Sequence, residues 1–148
     1  MKNNHIKIGK IGEDLACEYL VDNGYKIISR NFRKPWGEID IIAKSKDQTL
    51  VFVEVKTIVY RQTSKNECLP VNIRISPEEN LNKSKLIKLK RTCALYAGYN
   101  ENLITDNKGW RIDLLAITIP REYSGLSVPN ELTESYKNCV INHYENIA

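Results

Sequence analysis

The stretch that most constrains this sequence is a pair of alternating apolar runs, Gly37–Lys44 and Leu50–Tyr60, separated by the polar segment Ser45-Lys46-Asp47-Gln48-Thr49. Period-two alternation bounded by a polar turn predicts two antiparallel strands joined as a hairpin. With the turn centred on Asp47, Asp40 falls opposite Glu54 and Glu38 opposite Lys56. Strand alternation then puts Glu38, Asp40, Ile42 and Lys44 on one face with Leu50, Phe52, Glu54 and Lys56. The other face holds Ile39, Ile41, Ala43, Val51, Val53 and Val55, all apolar, and has to be buried. The first face also carries Ile42, Leu50 and Phe52 near the turn, so it too needs a cover. A sheet packed on both sides is the expectation.

The rest of the chain supplies the covers. Gly9 to Gly24 reads as a helix with Ile11, Leu15, Ala16, Tyr19 and Leu20 on one stripe. Tyr25 to Phe32 reads as a strand. Residues 61–75 are irregular, and Ser76-Pro77-Glu78-Glu79 forms a capping-box start for a second helix, running to about Ala97 before Gly98. Its stripe is Leu86, Leu89, Cys93, Tyr96 and Ala97. Trp110 to Ile119 is a strongly apolar strand closed by Pro120. Turn signals at Ser124-Gly125 and Pro129-Asn130 leave room for a short helix from about Glu131. The order helix, three strands, helix, strand predicts an α/β domain with a central mixed sheet flanked by helices. At 148 residues the chain is the size of one domain. Residues 1–120 are expected to form it, with 121–148 a C-terminal extension packed on the same unit.

No apolar run approaches the roughly 18 residues of a membrane helix, and Met1-Lys2-Asn3-Asn4-His5 leads into no apolar signal core. A cytoplasmic protein with no membrane partner is expected. Cysteines 17, 68, 93 and 139 form no CxxC pair and have two histidines to support them, which argues against a zinc site. Cys17 and Cys93 lie in helical patterns and read as small apolar residues. The net charge of +4 is concentrated: residues 57–100 carry a net +5, whereas 121–148 carry −2. A basic middle is compatible with a polyanionic partner, although charge alone favours a solvated surface.

The first hairpin face carries the chemistry. Two carboxylates directly opposed, with Cβ atoms about 5 Å apart, destabilise a sheet unless a cation lies between them or one is protonated. A divalent cation with oxygen ligands is the simplest resolution. Lys56 projects on the same side, where an ammonium can orient water or stabilise a phosphate transition state. Asp40, Glu54 and Lys56 together are what metal-assisted phosphodiester hydrolysis requires. Glu13 sits at the border of the first helix's apolar stripe. By the wheel it is an ordinary border glutamate, unless that helix covers the carboxylate face. Of the second helix's cations, Lys85 borders the core stripe and is best placed to reach a phosphate, while Lys83, Lys88, Lys90 and Arg91 read as a solvated face. Arg30, Arg33 and Lys34 precede the hairpin and are placed to hold a DNA backbone. Asn31 reads as a strand-end turn former, and Trp36 as a base-stacking or loop-packing residue. Asp113, among apolar strand residues, needs a partner such as Arg111. His143, read within a tail helix, is taken as structural.

Gly12-Glu13, Tyr19-Leu20, Gly24-Tyr25, Arg30-Asn31-Phe32-Arg33, Gly37-Glu38-Ile39-Asp40 and Val51-Phe52-Val53-Glu54-Val55-Lys56-Thr57 resemble the YraN-type family of largely uncharacterised bacterial proteins. Lys85, Trp110-Arg111-Ile112-Asp113 and His143-Tyr144-Glu145-Asn146 extend the resemblance over nearly the whole chain. It implies a restriction-endonuclease-like fold with a PD-(D/E)xK motif, near archaeal Holliday junction resolvases. It also implies Asp40, Glu54 and Lys56 as the motif, with Glu13 as the first-helix carboxylate. Glu13, Asp40 and Glu54 would hold Mg2+ or Mn2+ in a DNA endonuclease acting on branched, Holliday junction-like DNA, as a homodimer. The chain departs from the family pattern after the motif, where Ile58-Val59-Tyr60 precedes Arg61, and in the irregular segment that follows. The competing readings are a non-catalytic nucleic-acid- or protein-binding module that retains the nuclease fold, and an assembly partner acting through the tail.

Overall fold

A computed structural model describes residues 2–60, 81–120 and 139–148. The elements are α1 (Lys2–Asp22), β1 (Lys26–Lys34), β2 (Gly37–Lys44), β3 (Leu50–Tyr60), α2 (Lys83–Tyr99), a 3-10 turn (Glu101–Leu103), β4 (Trp110–Pro120) and β5 (Val140–Tyr144). The strands form one five-stranded mixed sheet in the order β1-β2-β3-β4-β5. β1, β2 and β3 are successive antiparallel neighbours, β4 runs parallel to β3, and β5 is antiparallel to β4. A helix lies on each face. This is the α/β architecture expected of the restriction-endonuclease-like fold.

The hairpin register is the one expected, with Lys44 paired to Leu50 and Ile41 to Val53. The turn is fixed locally: Asp47 accepts from the Ser45 hydroxyl and from the amide and hydroxyl of Thr49. α1 covers one face, packing Leu15, Ala16 and Leu20 on Ile41, Ala43, Val51, Val53, Leu115 and Ile117. α2 covers the other, packing Leu89, Cys93 and Ala97 on Ile39, Ile42, Leu50, Phe52 and Ile112.

Ile39 is therefore on the opposite face from the one simple alternation assigns. It shares the α2 side with Ile42, while Ile41 between them faces α1. The reversal is coordinated across two strands. Phe32 of β1 pairs with Ile39 and joins the α2 core, whereas Arg30 pairs with Ile41 and bonds Asp14 of α1. Between them Asn31 adopts a left-handed φ of 52°. Asparagine tolerates this conformation better than most residues. Asn31 is thus a kink inside β1 rather than a turn at its end.

Three boundaries differ from expectation. α2 begins at Lys83, with the Asn82 side chain accepting from the Lys85 amide as its N-cap. The helix expected from Ser76 is thus not continuous through Leu81 and Asn82, and its capping box lies outside the described residues. At its other end α2 passes through Gly98 to Tyr99, where Asn100 caps it by donating to the Ala97 and Tyr96 carbonyls. The tail segment holding His143 is a strand, because pairing with β4 satisfies its backbone. The short helix expected from Glu131 lies outside the described residues.

Two glycines set how closely the layers approach. A Cβ on Gly12 of α1 would fall 1.8 Å from Thr57 Oγ1 of β3, and one on Gly37 would fall 2.0 Å from Thr92 Oγ1 of α2. The helices rest on the sheet at the end where Asp40 and Glu54 lie.

Candidate active site

At that end the paired hairpin ladder stops. Beyond Ile41–Val53 the Asp40 carboxylate turns to accept from the Val55 amide, at 2.8 Å. The kink that moves Ile39 to the α2 face thus aims Asp40 at the open edge of β3. Glu54, on β3, is buried with 7% exposure, and its carboxylate is paired with the Lys85 ammonium from the first turn of α2. The two carboxylates line one open cleft of about 300 Å³ together with Glu38, Lys34, Lys85 and Lys88.

Electrostatics mark the pair. Burial, then the charge of Glu54, push the Asp40 carboxyl up to about 7, and Glu13 adds to the rise. The Val55 amide and Lys85 oppose it. Burial also works against the charge of Lys85, but the hydrogen bond and carboxylate of Glu54, then Asp40 and Glu38, hold its ammonium above its usual value. A half-buried and a buried carboxylate sharing one ammonium form an anionic oxygen-donor set, chemically suited to a hard divalent cation.

The other expected residues are placed less uniformly. Glu13 lies on α1, which covers the opposite face, so that helix does not lid the carboxylates; Glu13 reaches Asp40 electrostatically, from the margin. Lys56 follows Glu54 by two on a regular ladder and is exposed, outside the cleft lining. Lys85 is inside the cleft. Arg30 is bound to Asp14, away from the cleft lining, and Arg33 lies 4.0 Å from Glu38 on the exposed rim. Lys88, read as solvated, lines the cleft, and Lys34 joins it from the end of β1. Lys88 follows Lys85 by three, a spacing that sets the two side by side on the helix surface.

A second polar cluster lies on the α1 side. Asp113 of β4 is fully buried. It accepts from Arg111 Nε at 3.0 Å, Arg111 Nη2 at 3.2 Å and the Asn146 amide at 2.9 Å, and it pairs with His143 Nε2 at 2.9 Å. Arg111 also donates to the Tyr25 hydroxyl and pairs with Glu145. Burial alone would raise the Asp113 carboxyl, but His143, Arg111 and the Asn146 amide outweigh it and hold it low. The expected Arg111 partner is present, and His143 enters through β5. Asp113, His143 and Glu145 offer ligand atoms within 4.8 Å of one another, a grouping of a kind that can hold a metal. As it stands, Arg111 is the cation that serves it. Glu145 enters the sequence reading only as part of the resemblance, without a role; the run Val140-Ile141-Asn142-His143-Tyr144, with β-branched and aromatic residues, is the signal that a strand brings it here.

Among the described residues no helix is long and apolar enough to cross a membrane. Residues 12–117 match the model of a family described as Uncharacterised protein family UPF0102. The chain is 37% identical over 113 residues to a UPF0102 protein of Caldicellulosiruptor bescii, covering 76% of this chain and 83% of that one. It is 35% identical over 108 residues to one of Fervidobacterium nodosum (73% and 68% covered). To one of Campylobacter concisus it is 39% identical over 109 residues (74% and 81% covered).

Proposed function

From the cleft of this chain, which belongs to the uncharacterised protein family UPF0102, we propose a divalent-metal-dependent endonuclease that hydrolyses phosphodiester bonds in DNA. The observation that carries the reading is the pair of half-buried Asp40 and buried Glu54 facing a cleft rimmed by Lys34, Lys85 and Lys88. Like charges held close and partly out of water cost stability, and a cation-binding task is what gives that cost a use. Asp40 and Glu54 would hold Mg2+ or Mn2+, with Glu13 supporting from the margin. Such an ion supplies Lewis acidity toward a water nucleophile and the phosphate. Lys85 is placed to be released from Glu54 and to hold a phosphate oxygen through a charge-assisted hydrogen bond. Lys34 and Lys88 would seat flanking phosphates, and Arg33 could extend that track along the rim. Lys56, on the solvent side of the motif, is the second candidate ammonium. Branched DNA is the proposed substrate, and a two-fold homodimer would suit a symmetric junction. Residues 1–120 form the nuclease unit of this proposal, and β5 supports an extension that packs on it.

The test is a nuclease assay on junction, flap, single-stranded and duplex DNA in Mg2+ or Mn2+. Wild type cleaves at least one of them; Glu54→Ala abolishes cleavage, and Lys85→Ala and Lys56→Ala show which ammonium serves the reaction. Activity that survives Glu54→Ala belongs to another site. No cleavage by wild type on any substrate in either metal overturns the proposal in favour of a binding module.

A further inference from the structure

Beside the carboxylate cleft lies a second cavity, of about 370 Å³, lined by Phe32, Lys34, Trp36, Tyr96, Tyr99 and Asn100. Lys34 belongs to both. The proposed nuclease function uses none of the aromatic residues, yet four converge here from three elements. Trp36 stands in the two-residue turn between Lys34 and its pair partner Gly37, and is half-buried. Phe32 lies 5.9 Å from Trp36 and edge-on to Tyr96 at 5.0 Å, and Tyr96 is edge-on to Phe52 at 5.7 Å. Tyr99, in the last turn of α2, is 81% exposed, so the core does not account for its ring.

We propose that this cavity takes an unpaired nucleobase of the nucleic acid whose backbone lies in the adjoining carboxylate cleft. The proposal rests on the nuclease reading for its choice of partner and adds the substrate class, a strand with an unstacked base. Its walls are aromatic, and every base presents a π-face to such walls irrespective of sequence. Phe32, Trp36 and Tyr96 are held by their own ring contacts, so those walls lose little freedom on binding, while the exposed Tyr99 is left to close on the base. The volume is at the small end of the roughly 300–1,000 Å³ of ligand pockets. Among the described residues no acid lines the cavity, and the one charged lining residue, Lys34, stands where a phosphate would pass from base to cleft. An apolar side chain of a protein would make no use of that ammonium.

The experiment measures binding without cleavage, in EDTA and again in calcium, using the full chain. Its probes are a short oligodeoxythymidylate, an abasic strand of equal length and a blunt duplex. Tryptophan fluorescence reports on the cavity and anisotropy gives the affinity. The oligodeoxythymidylate should quench the fluorescence and bind about tenfold or more tightly than the abasic strand. That ratio corresponds to about 1.4 kcal/mol of stacking. Trp36→Ala and the exposed Tyr99→Ala should each erase most of the difference, and Trp36→Phe should retain it. Equal affinity for normal and abasic strands overturns the proposal, and is also the result for a cavity that receives a protein side chain. Indifference to both alanine substitutions overturns it as well. The outcome is independent of catalysis: base discrimination in a protein that cleaves nothing removes the nuclease reading and leaves the cavity assigned, whereas cleavage without discrimination does the reverse.

Discussion

Asp40 shows how one residue can lower the stability of a fold while suiting it to a ligand. An unfolded aspartate titrates near about 3.9, and burial beside Glu54 raises Asp40 to about 7. Between those values the folded state keeps a proton that the unfolded state has released. Stability from this group is therefore fully present below the unfolded value and is lost as pH rises through about 7. In metal-free solution above that pH, Asp40→Asn should stabilise the protein by about 1–2 kcal/mol, since it removes the charge and keeps an acceptor for the Val55 amide. Urea titration at two pH values checks this, and equal or lower stability of the variant is the contrary result. Metal reverses the order. An ion that binds only the native state stabilises it by about 2.7 kcal/mol at a hundred times its dissociation constant. Mn2+ or Mg2+ should raise the melting temperature of wild type and leave Asp40→Asn nearly unmoved. Because the carboxylate must be ionised to bind, the shift should shrink as pH falls below about 7.

At the scale of elements, the sheet is held at two points that substitution can separate. α1 meets β3 through Gly12 and Thr57, where a Cβ would fall 1.8 Å from the threonine hydroxyl. Gly12→Ala should cost about 1–3 kcal/mol by overpacking. Thr57→Ala should return part of that loss, a coupling readable in a double-mutant cycle. β4 and β5 are joined through Asp113, whose lowered carboxyl contributes stability above its unfolded value and loses it as pH falls through the folded one. Asp113→Ala should cost about 1–3 kcal/mol at neutral pH, because His143 and the Asn146 amide lose their acceptor and the half-buried Arg111 keeps only Glu145 and Tyr25. Loss of under 1 kcal/mol in urea titration would show that the contacts to β5 are not what holds it. These two points also show how legible the fold was. β2, β3 and β4 were readable because their apolar alternation is local and dense, and the hairpin register followed from its turn. The start of α2 was not, because the Ser76 capping box competes with Asn82, which forms the cap observed. β5 was not, because a short half-apolar segment becomes a strand only when a distant partner satisfies its backbone. Asp40 and Glu54 were legible as a conflict between like charges, whereas the kink at Asn31 that frees Asp40 from the ladder leaves no trace in apolar periodicity.

For the whole molecule, the small net charge of +4 is an average over separated regions. Lys34, Lys85 and Lys88 surround the carboxylate cleft, while Arg111 and Glu145 belong to the Asp113 cluster on the α1 side. Lys108 lies at the far end of the hairpin, paired with Asp47. A polyanion bound at the cleft would therefore respond to particular lysines and not to net charge. Each phosphate neutralised adds roughly 0.7–0.9 to the slope of log affinity against log salt, through release of condensed ions. Lys34→Ala and Lys88→Ala should each weaken DNA binding and reduce that slope by about 1. Lys108→Ala makes the same change in net charge and should leave the slope unaltered. Anisotropy titrations across salt concentrations decide the matter. Equal slope changes for all three variants would mean that DNA answers only to overall charge and is not seated in the cleft. A slope that falls for the two cleft lysines alone would locate the nucleic acid beside Asp40 and Glu54 without recourse to cleavage.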